Sequence, residues 1–252
     1  MICLSERNRI KSKIQYIDAS KWWGDNFDVR FFLISQLKKI QKSAVLDIGG
    51  GIGIICSELD NSNLRVNLDN SFDDLKICRN KINSEIQNIC ASMTHLPFRD
   101  NCFQYVVCSN VLEVAKELDM KNIIGKKSYE NFVYPTVNKI LSEVNRILIP
   151  DSVAFITTPN NAYFNSQKFT FKELQGTLNA FFSSFEIYFF NTFPRLSKNK
   201  RKLNMANVIP KILSKFSNSD IVIKGLLKTN VKNHYSVSFY VKVRSKKLEN
   251  RI

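Results

Sequence analysis

The sequence predicts an α/β protein: one doubly wound, mostly parallel seven-stranded sheet with helices on both faces and an antiparallel last strand. Three observations carry that expectation. From residue 44 onward, short apolar β-branched runs alternate with amphipathic stretches, the pattern of strand–helix–strand units. The first run leads into a glycine cluster, VLDIGGGIGII over 45–55, as a first strand does when it turns at the sheet's carboxyl rim. Of the closing runs, Phe185–Phe190 and Tyr235–Val243, the second alternates cleanly (Val237, Phe239, Val241, Val243), as an added antiparallel strand would.

In order, Ala44–Ile48 is expected as a buried strand and Ile52–Leu59 as the helix after it. Leu64–Leu68 is the second strand. Ser71 then caps a helix whose first turn holds Asp73 and Asp74, where negative charge suits the dipole. Phe72, Leu75, Cys78 and Ile82 share its apolar face. Ile86–Cys90 and Phe103–Ser109 are the third and fourth strands. Lys116–Ser128, polar and carrying Gly125, is expected as a loop. Val133, Val137, Ile140, Val144 and Ile147 recur at threes and fours and predict an amphipathic helix within Tyr129–Leu148. Pro150-Asp151 is expected to turn the chain into a fifth strand, Val153–Thr157. Thr170-Phe171-Lys172-Glu173 fits a capping box and opens a helix with Leu174, Leu178 and Phe181. The chain divides into an N-terminal helical cover, 1–43, and an α/β domain, 44–252, with a basic insertion at about 191–233.

The 252 residues are 44% hydrophobic, enough for a globular core. No apolar run approaches the ~20 residues of a membrane span. The start, Met1 to Arg7, is too short and too soon charged for a signal peptide. Six cysteines show no CxxC pair and no zinc-type Cys/His spacing. These features predict a reduced, cytoplasmic protein without a metal site. The net charge of +15 is uneven: residues 191–252 hold 15 Lys/Arg against only Asp220 and Glu249. A general bias towards Lys, Asn and Ile explains the bases but not the missing acids. The tail is expected to meet an anionic partner, such as membrane head groups, RNA or a phosphorylated substrate.

The glycine cluster fails the phosphate-binding patterns. In a G-x-G-x-x-G reading the sixth position is Ile54 counted from Gly49 and Cys56 counted from Gly51, and no lysine lies between Lys42 and Lys76 for a Walker loop. What stands here is Asp47-x-Gly49-x-Gly51-x-Gly53, with Asp69 at the end of the second strand. A carboxylate there can accept both hydroxyls of a ribose lying across the strand tips. A nucleoside with a carboxylate and close backbone contact fits S-adenosylmethionine.

Three segments in register then resemble class I S-adenosylmethionine-dependent methyltransferases of the type 11, "LPF" branch. VLDIGGGIG resembles their first motif, and Ala91–Val107 (ASMTHLPFRDNCFQYVV) their "LPF-x-DN-x-F" stretch. Glu143–Pro150 (EVNRILIP) is similar to their "E-x-x-RVLKPGG" turn. The resemblance covers roughly 44–190. It implies that Gly49 and Gly51 line the methionine end with Asp47 behind them, and that Asp69 holds the ribose. Ser92 and Met93 flank the adenine, and Asn110 closes the site at the fourth strand tip. Gly53 and Asn70 complete the expected cofactor set. Two departures stand out. Serine occupies the usual acidic position at 92, and Leu112-Glu113-Val114 lacks the histidine of the family's "LEH".

Methyl transfer needs alignment and exclusion of water, and a base only for a poorly acidic acceptor. His95 reads as structural, and His234 and Asn160 carry no assignment, so no base is named. The turn Ser109-Asn110-Val111-Leu112 lacks the Asn/Asp-Pro-Pro-aromatic grip for planar amines, which favours oxygen. The acceptor is expected to be small, or lipid- or glycan-linked. It would be framed by Tyr16–Phe32 and by the basic amphipathic Val208–Phe216, which suits a peripheral position on an anionic membrane. The alternatives are an RNA methyltransferase using the basic tail and a non-catalytic cofactor-binding or interaction module.

Overall fold

Seven strands join in one sheet in the order β3-β2-β1-β4-β5-β7-β6. In chain order they are β1 (Ala44–Ile48), β2 (Leu64–Asp69), β3 (Gln87–Cys90), β4 (Phe103–Ser109), β5 (Leu148–Pro159), β6 (Ser184–Phe190) and β7 (Ser238–Arg244). The structure is a computed structural model and describes residues 27–121, 134–159, 168–190 and 238–244. β1 to β5 are mutually parallel, and β7 runs antiparallel between β5 and β6. The winding reverses between β1 and β4, so a crevice opens at the carboxyl ends of those two strands.

The described helices are α1 (Phe27–Leu37), α2 (Phe72–Ile77), α3 (Leu112–Lys121), α4 (Pro135–Ile147) and α5 (Phe171–Phe181). Consecutive strand residues point to opposite faces, and both faces are covered. Val45, Val107 and Phe155 pack under α1 and the 52–59 segment, through Leu33, Ile34 and Ile54 among others. Leu46, Val106, Ala154 and Ile156 pack under α3, α4 and α5, through Leu112, Ile140 and Leu178. Double coverage is why β1 and β4 are mostly apolar.

Several expectations change. No helix fills Ile52–Leu59. Gly51 and Gly53 take φ of +54° and +72° there, and the segment is a series of turns ending in a 3-10 turn, Cys56–Glu58. Left-handed residues interrupt a right-handed helix before it can propagate. Phe72, assigned to the apolar face of its helix, is 69% exposed. α2 is short and widens into a π turn over Cys78–Ile82; Leu75 and Cys78 are its buried residues, while Phe72 opens it exposed. The first part of the Lys116–Ser128 loop is helical to Lys121, and the rest lies outside the described residues. Its polar residues are buried with partners. Lys116 Nζ donates to Lys168 O (2.7 Å) and Glu173 Oε2 (2.9 Å), and the Asp119 carboxylate accepts from Thr136 N and Val137 N at the start of α4. Pro150-Asp151 does not end an element. It is a bulge within β5, with Asp151 at φ +64° and a register shift opposite Phe103/Tyr105.

Other expectations hold. Ser71 Oγ accepts from Asp74 N (3.3 Å), and the Thr170/Glu173 capping box is complete. The second and third motifs fasten each other. Arg146 of α4 donates to Glu143 (2.9 and 2.8 Å), Asp100 (2.7 Å), Phe98 O (2.8 Å) and Leu96 O (3.1 Å), while Leu96 N donates to Glu143 (2.8 Å).

Candidate functional site

β1 ends in a turn suspended from β2. Gly49 N and Gly50 N both donate to Leu68 O (2.7 and 3.2 Å). Asn67 Nδ2 donates to Gly51 O, and Gly51 N donates to Asp69 Oδ2, each at 2.9 Å. The parallel register that sets Asp47 beside Asn67 makes this possible. The glycines serve different ends. A β-carbon at Gly49 would lie 2.5 Å from Val111 Cγ2, and one at Gly53 would lie 2.4 Å from Cys78 Sγ. At Gly50 it would lie 2.1 Å from Asn67 Oδ1 and 2.7 Å from Asp47 Oδ2. Those three are glycine because the protein itself packs there. At Gly51 the nearest such atom is Asp74 Oδ2 at 4.0 Å. The backbone is bare at Gly51 and faces open space.

Asp69 is fixed at the β2 tip. Its Oδ1 accepts from Ser71 N (2.9 Å) and its Oδ2 from Gly51 N, which leaves each oxygen further acceptor capacity. Ala91 N donates to Asp69 O (3.1 Å), so Ser92 and Met93 follow directly beside it. Ser92 is exposed, with its Oγ 2.9 Å from Thr94 Oγ1, and Met93 packs half-buried against the core. Asn70 is exposed next to Asp69. Gly49, Gly51, Asp69, Asn70, Ser92 and Met93 thus come together along the β1–β2–β3 tips. Gly53 lies apart, buried against Cys78, and Asp47 is buried behind the turn.

Asn110 lies across the crevice at the β4 tip, with φ +57°. Its N donates to Thr157 O (2.8 Å), and its Oδ1 accepts from Thr157 Oγ1 (2.9 Å). His95 is exposed, its Nδ1 3.0 Å from Thr94 Oγ1. Asn160, His234 and the basic insertion lie outside the described residues. Among the described residues no group of three or more His, Cys, Asp or Glu could hold a metal, and no helix is long and apolar enough to cross a membrane.

Residues 46–156, from β1 through most of β5, match the family described as "Methyltransferase domain", type 11. Over those residues the chain is similar to methyltransferase domains. Over 115 residues it is 34% identical to an uncharacterised protein of Methanocaldococcus jannaschii; the match covers 45% of this chain and 49% of that protein, so the chain spans about half the length of this curated relative. Solved structures share the fold. The N-methyltransferase NodS of Bradyrhizobium japonicum, in complex with S-adenosyl-L-homocysteine, superposes at a TM-score of 0.56 with 10% identity, over 96% of this chain and 98% of that one. An S-adenosylmethionine-dependent methyltransferase of Archaeoglobus fulgidus gives 0.51 with 16% identity, over 95% and 94%. The [4+2]-cyclase SpnF gives 0.53 with 14% identity, over 87% and 80%.

The described fold also holds buried charge here, of which sequence reasoning assigns a role only to Asp47. Arg30 of α1, Asp47 of β1 and Glu113 of α3 are all buried. Burial pushes the Asp47 carboxyl up to about 8, nearby Asp69 adds to the rise, and Arg30 opposes it. Burial pushes Glu113 up to about 7, against the pull of its own backbone amide, Lys168, Arg30 and Thr158. Burial lowers Arg30 to about 10, against the pull of Glu113 and then Asp47. Both Asp47 oxygens and Asn67 Oδ1 lack hydrogen-bond partners among the described residues. The only signal for Arg30 in the sequence is a charge inside the apolar run Phe27–Leu37. For Glu113 it is the Leu-Glu-Val that stands for "LEH".

Proposed function

We propose that the protein transfers a methyl group from S-adenosylmethionine to an oxygen of a small-molecule, lipid-linked or glycan-linked acceptor. The observation that carries this reading is the bare backbone at Gly51, where a β-carbon would meet no protein atom closer than Asp74 Oδ2 at 4.0 Å, beside a carboxylate already fixed at the next strand tip. The residues fit the cofactor. Asp69 takes the ribose hydroxyls, Gly49 and Gly51 the methionine end, and Ser92 and Met93 the adenine. Asn70 borders the ribose side and Asn110 closes the methionine side, while Gly53 lets the turn pack and the buried Asp47 carboxyl stands behind it. The cofactor supplies an electrophilic methyl group on a sulfonium, with a neutral thioether as leaving group. The chain's own part is to orient the acceptor over the β4 and β5 tips and to keep water out.

Residues 1–43 serve as the cover of this site, a reading supported by α1, which lays Leu33 and Ile34 on the sheet and brings Arg30 inside. The basic insertion at about 191–233 supplies the acceptor side and an approach to an anionic membrane surface; its support is the charge of the sequence. Incubating the purified protein with cell extract and methyl-labelled S-adenosylmethionine tests the reading. Label is expected in a lipid, glycan or small-molecule fraction. Label in RNA would transfer the proposal to nucleic acid. A calorimetric titration showing no binding at millimolar cofactor would remove the enzymatic reading altogether.

A further inference from the structure

At the β4 tip two buried polar atoms lack a partner among the described residues: Glu113 Oε1 and Asn110 Nδ2. Glu113 is 0% exposed, and its other oxygen accepts from Thr158 Oγ1 of β5 at 3.3 Å. Away from the crevice, where Asp47 is the other buried carboxylate without partners, several buried charges are engaged. Lys116 holds Glu173, Asp119 holds the start of α4, and Arg65 pairs with Glu85. Most buried side-chain polar atoms find a partner, so an unpartnered carboxylate oxygen at the crevice calls for an explanation. The neighbouring Val114, which stands where the family has histidine, is 41% exposed. The inward-facing group of this turn is therefore the acid.

The crevice has a direction. Asp69 sets the sugar over β2, Gly49 and Gly51 set the methionine end at β1, and Val111 of the β4 turn touches Gly49. A cofactor held that way carries its sulfur towards β4. Glu113 stands on the first turn of α3, between the β4 and β5 tips, on the side away from the sugar. We propose that Glu113 is the catalytic carboxylate that takes the acceptor's proton as the methyl group is transferred. This rests on the methyl-transfer reading. The acceptor's O–H bond breaks and its proton goes to Glu113 Oε1. The new O–C bond forms as the methyl–sulfur bond breaks, with that electron pair staying on sulfur. A buried negative carboxylate and a buried positive sulfonium both end neutral. Stripping water from the crevice raises the energy of the two charges before the step and leaves little to penalise after it.

The groups facing Glu113 are Arg30 of α1, Cys108 of β4 and Lys168 ahead of α5, with Asp47 of β1 acting on Arg30. The carboxyl is pushed up to about 7, mainly by burial, where a proton acceptor works at neutral pH. A sulfonium beside it favours the ionised form, and the neutral sulfur of S-adenosylhomocysteine does not. Calorimetry of the intact protein with both compounds, at about pH 6 and about pH 8, reads this without any acceptor. The preference for S-adenosylmethionine over S-adenosylhomocysteine is expected to rise roughly tenfold between those values. Glu113→Gln should remove that tenfold and bind S-adenosylhomocysteine within about threefold of wild type, which also shows it folds. Its label transfer into extract should fall by about 100-fold or more, with Glu113→Asp between the two. A Gln variant that keeps the pH-dependent preference, or transfers label as wild type does, overturns the role of Glu113 and leaves the methyl-transfer reading standing. A wild-type protein that binds neither compound overturns both.

Discussion

Replacing Gly51 by alanine separates glycine kept for the fold from glycine kept for a ligand. The perturbation is one methyl group. At φ +54° it costs about 1–2 kcal/mol for the left-handed backbone. It meets no protein atom closer than Asp74 Oδ2 at 4.0 Å. At about 2–4 °C per kcal/mol for a chain of this size, Gly51→Ala should melt ~2–8 °C below wild type and remain folded. In the complex the same methyl group fills space the cofactor needs. Overpacking of that kind costs about 1–3 kcal/mol, or about 5- to 150-fold in affinity for S-adenosylmethionine. Gly50→Ala is the control. Its β-carbon would lie 2.1 Å from Asn67 Oδ1 and 2.7 Å from Asp47 Oδ2, both buried, while its N–H is held by Leu68 O. That collision should cost at least about 3 kcal/mol of stability before any ligand is added. Thermal melting of the ligand-free variants and calorimetric titration of Gly51→Ala measure the two effects. A folded Gly51→Ala protein that binds the cofactor as tightly as wild type would refute the placement of the ligand on the β1 turn.

Two further outcomes follow from the described contacts. Arg146→Lys cannot hold Glu143 and Asp100 and reach Phe98 O and Leu96 O together, so it should lose about 2 kcal/mol of stability in urea titration and speed hydrogen exchange at the Leu96 amide. Wild-type stability would mean that the two motifs do not fasten each other. Asp47 and Glu113 are pushed up to about 8 and about 7, so between the ordinary carboxylate range and those values the folded state binds more protons than the unfolded state. The stability they contribute is fully present at acidic pH and is lost as pH rises through about 7 and 8, so ligand-free protein should be less stable at about pH 8 than at about pH 6 by about 1–2 kcal/mol for each group. A flat or rising profile would show that the two carboxylates are not held as described.

The strands were legible because double coverage makes them mostly apolar, even with Asp47 in β1 and Gln104 in β4; β1 and β4 have the bounds expected of them. Caps were equally legible, since Ser71 and Thr170 act through local hydrogen bonds that sequence spacing determines. What failed was long-range. Lys116 and Asp119 look like loop residues until Glu173 and the start of α4 are brought against them. Ile52–Leu59 has the composition of a helix, but two left-handed glycines break it. Phe72 lost its place because it is the first residue of its helix and stays exposed while Leu75 and Cys78 meet the core. In the site, motif spacing led to Gly49, Gly51, Asp69, Ser92 and Met93, which share one rim. It could not say that Gly53 is glycine for Cys78 and Gly50 for Asn67, because those contacts cross from one strand or helix to the next. It also could not find Arg30, whose meaning depends on α1 folding over β1 and β4.

The fold by itself does not choose the reaction, since the N-methyltransferase NodS and the cyclase SpnF share it with this chain. The choice lies in what stands at the β4 tip. A domain that only held a nucleoside would gain from satisfying Glu113 and Asn110, because a bare polar atom in the interior costs about 1–3 kcal/mol. Here both keep an unpaired atom, next to a turn whose outward position is a valine instead of histidine. Glu113 keeps the glutamate of the "LEH" pattern and is buried, while Val114 takes the place of its histidine and is exposed. This turn points its ionisable group inward, beside β5, which is the arrangement that the proposed proton transfer requires.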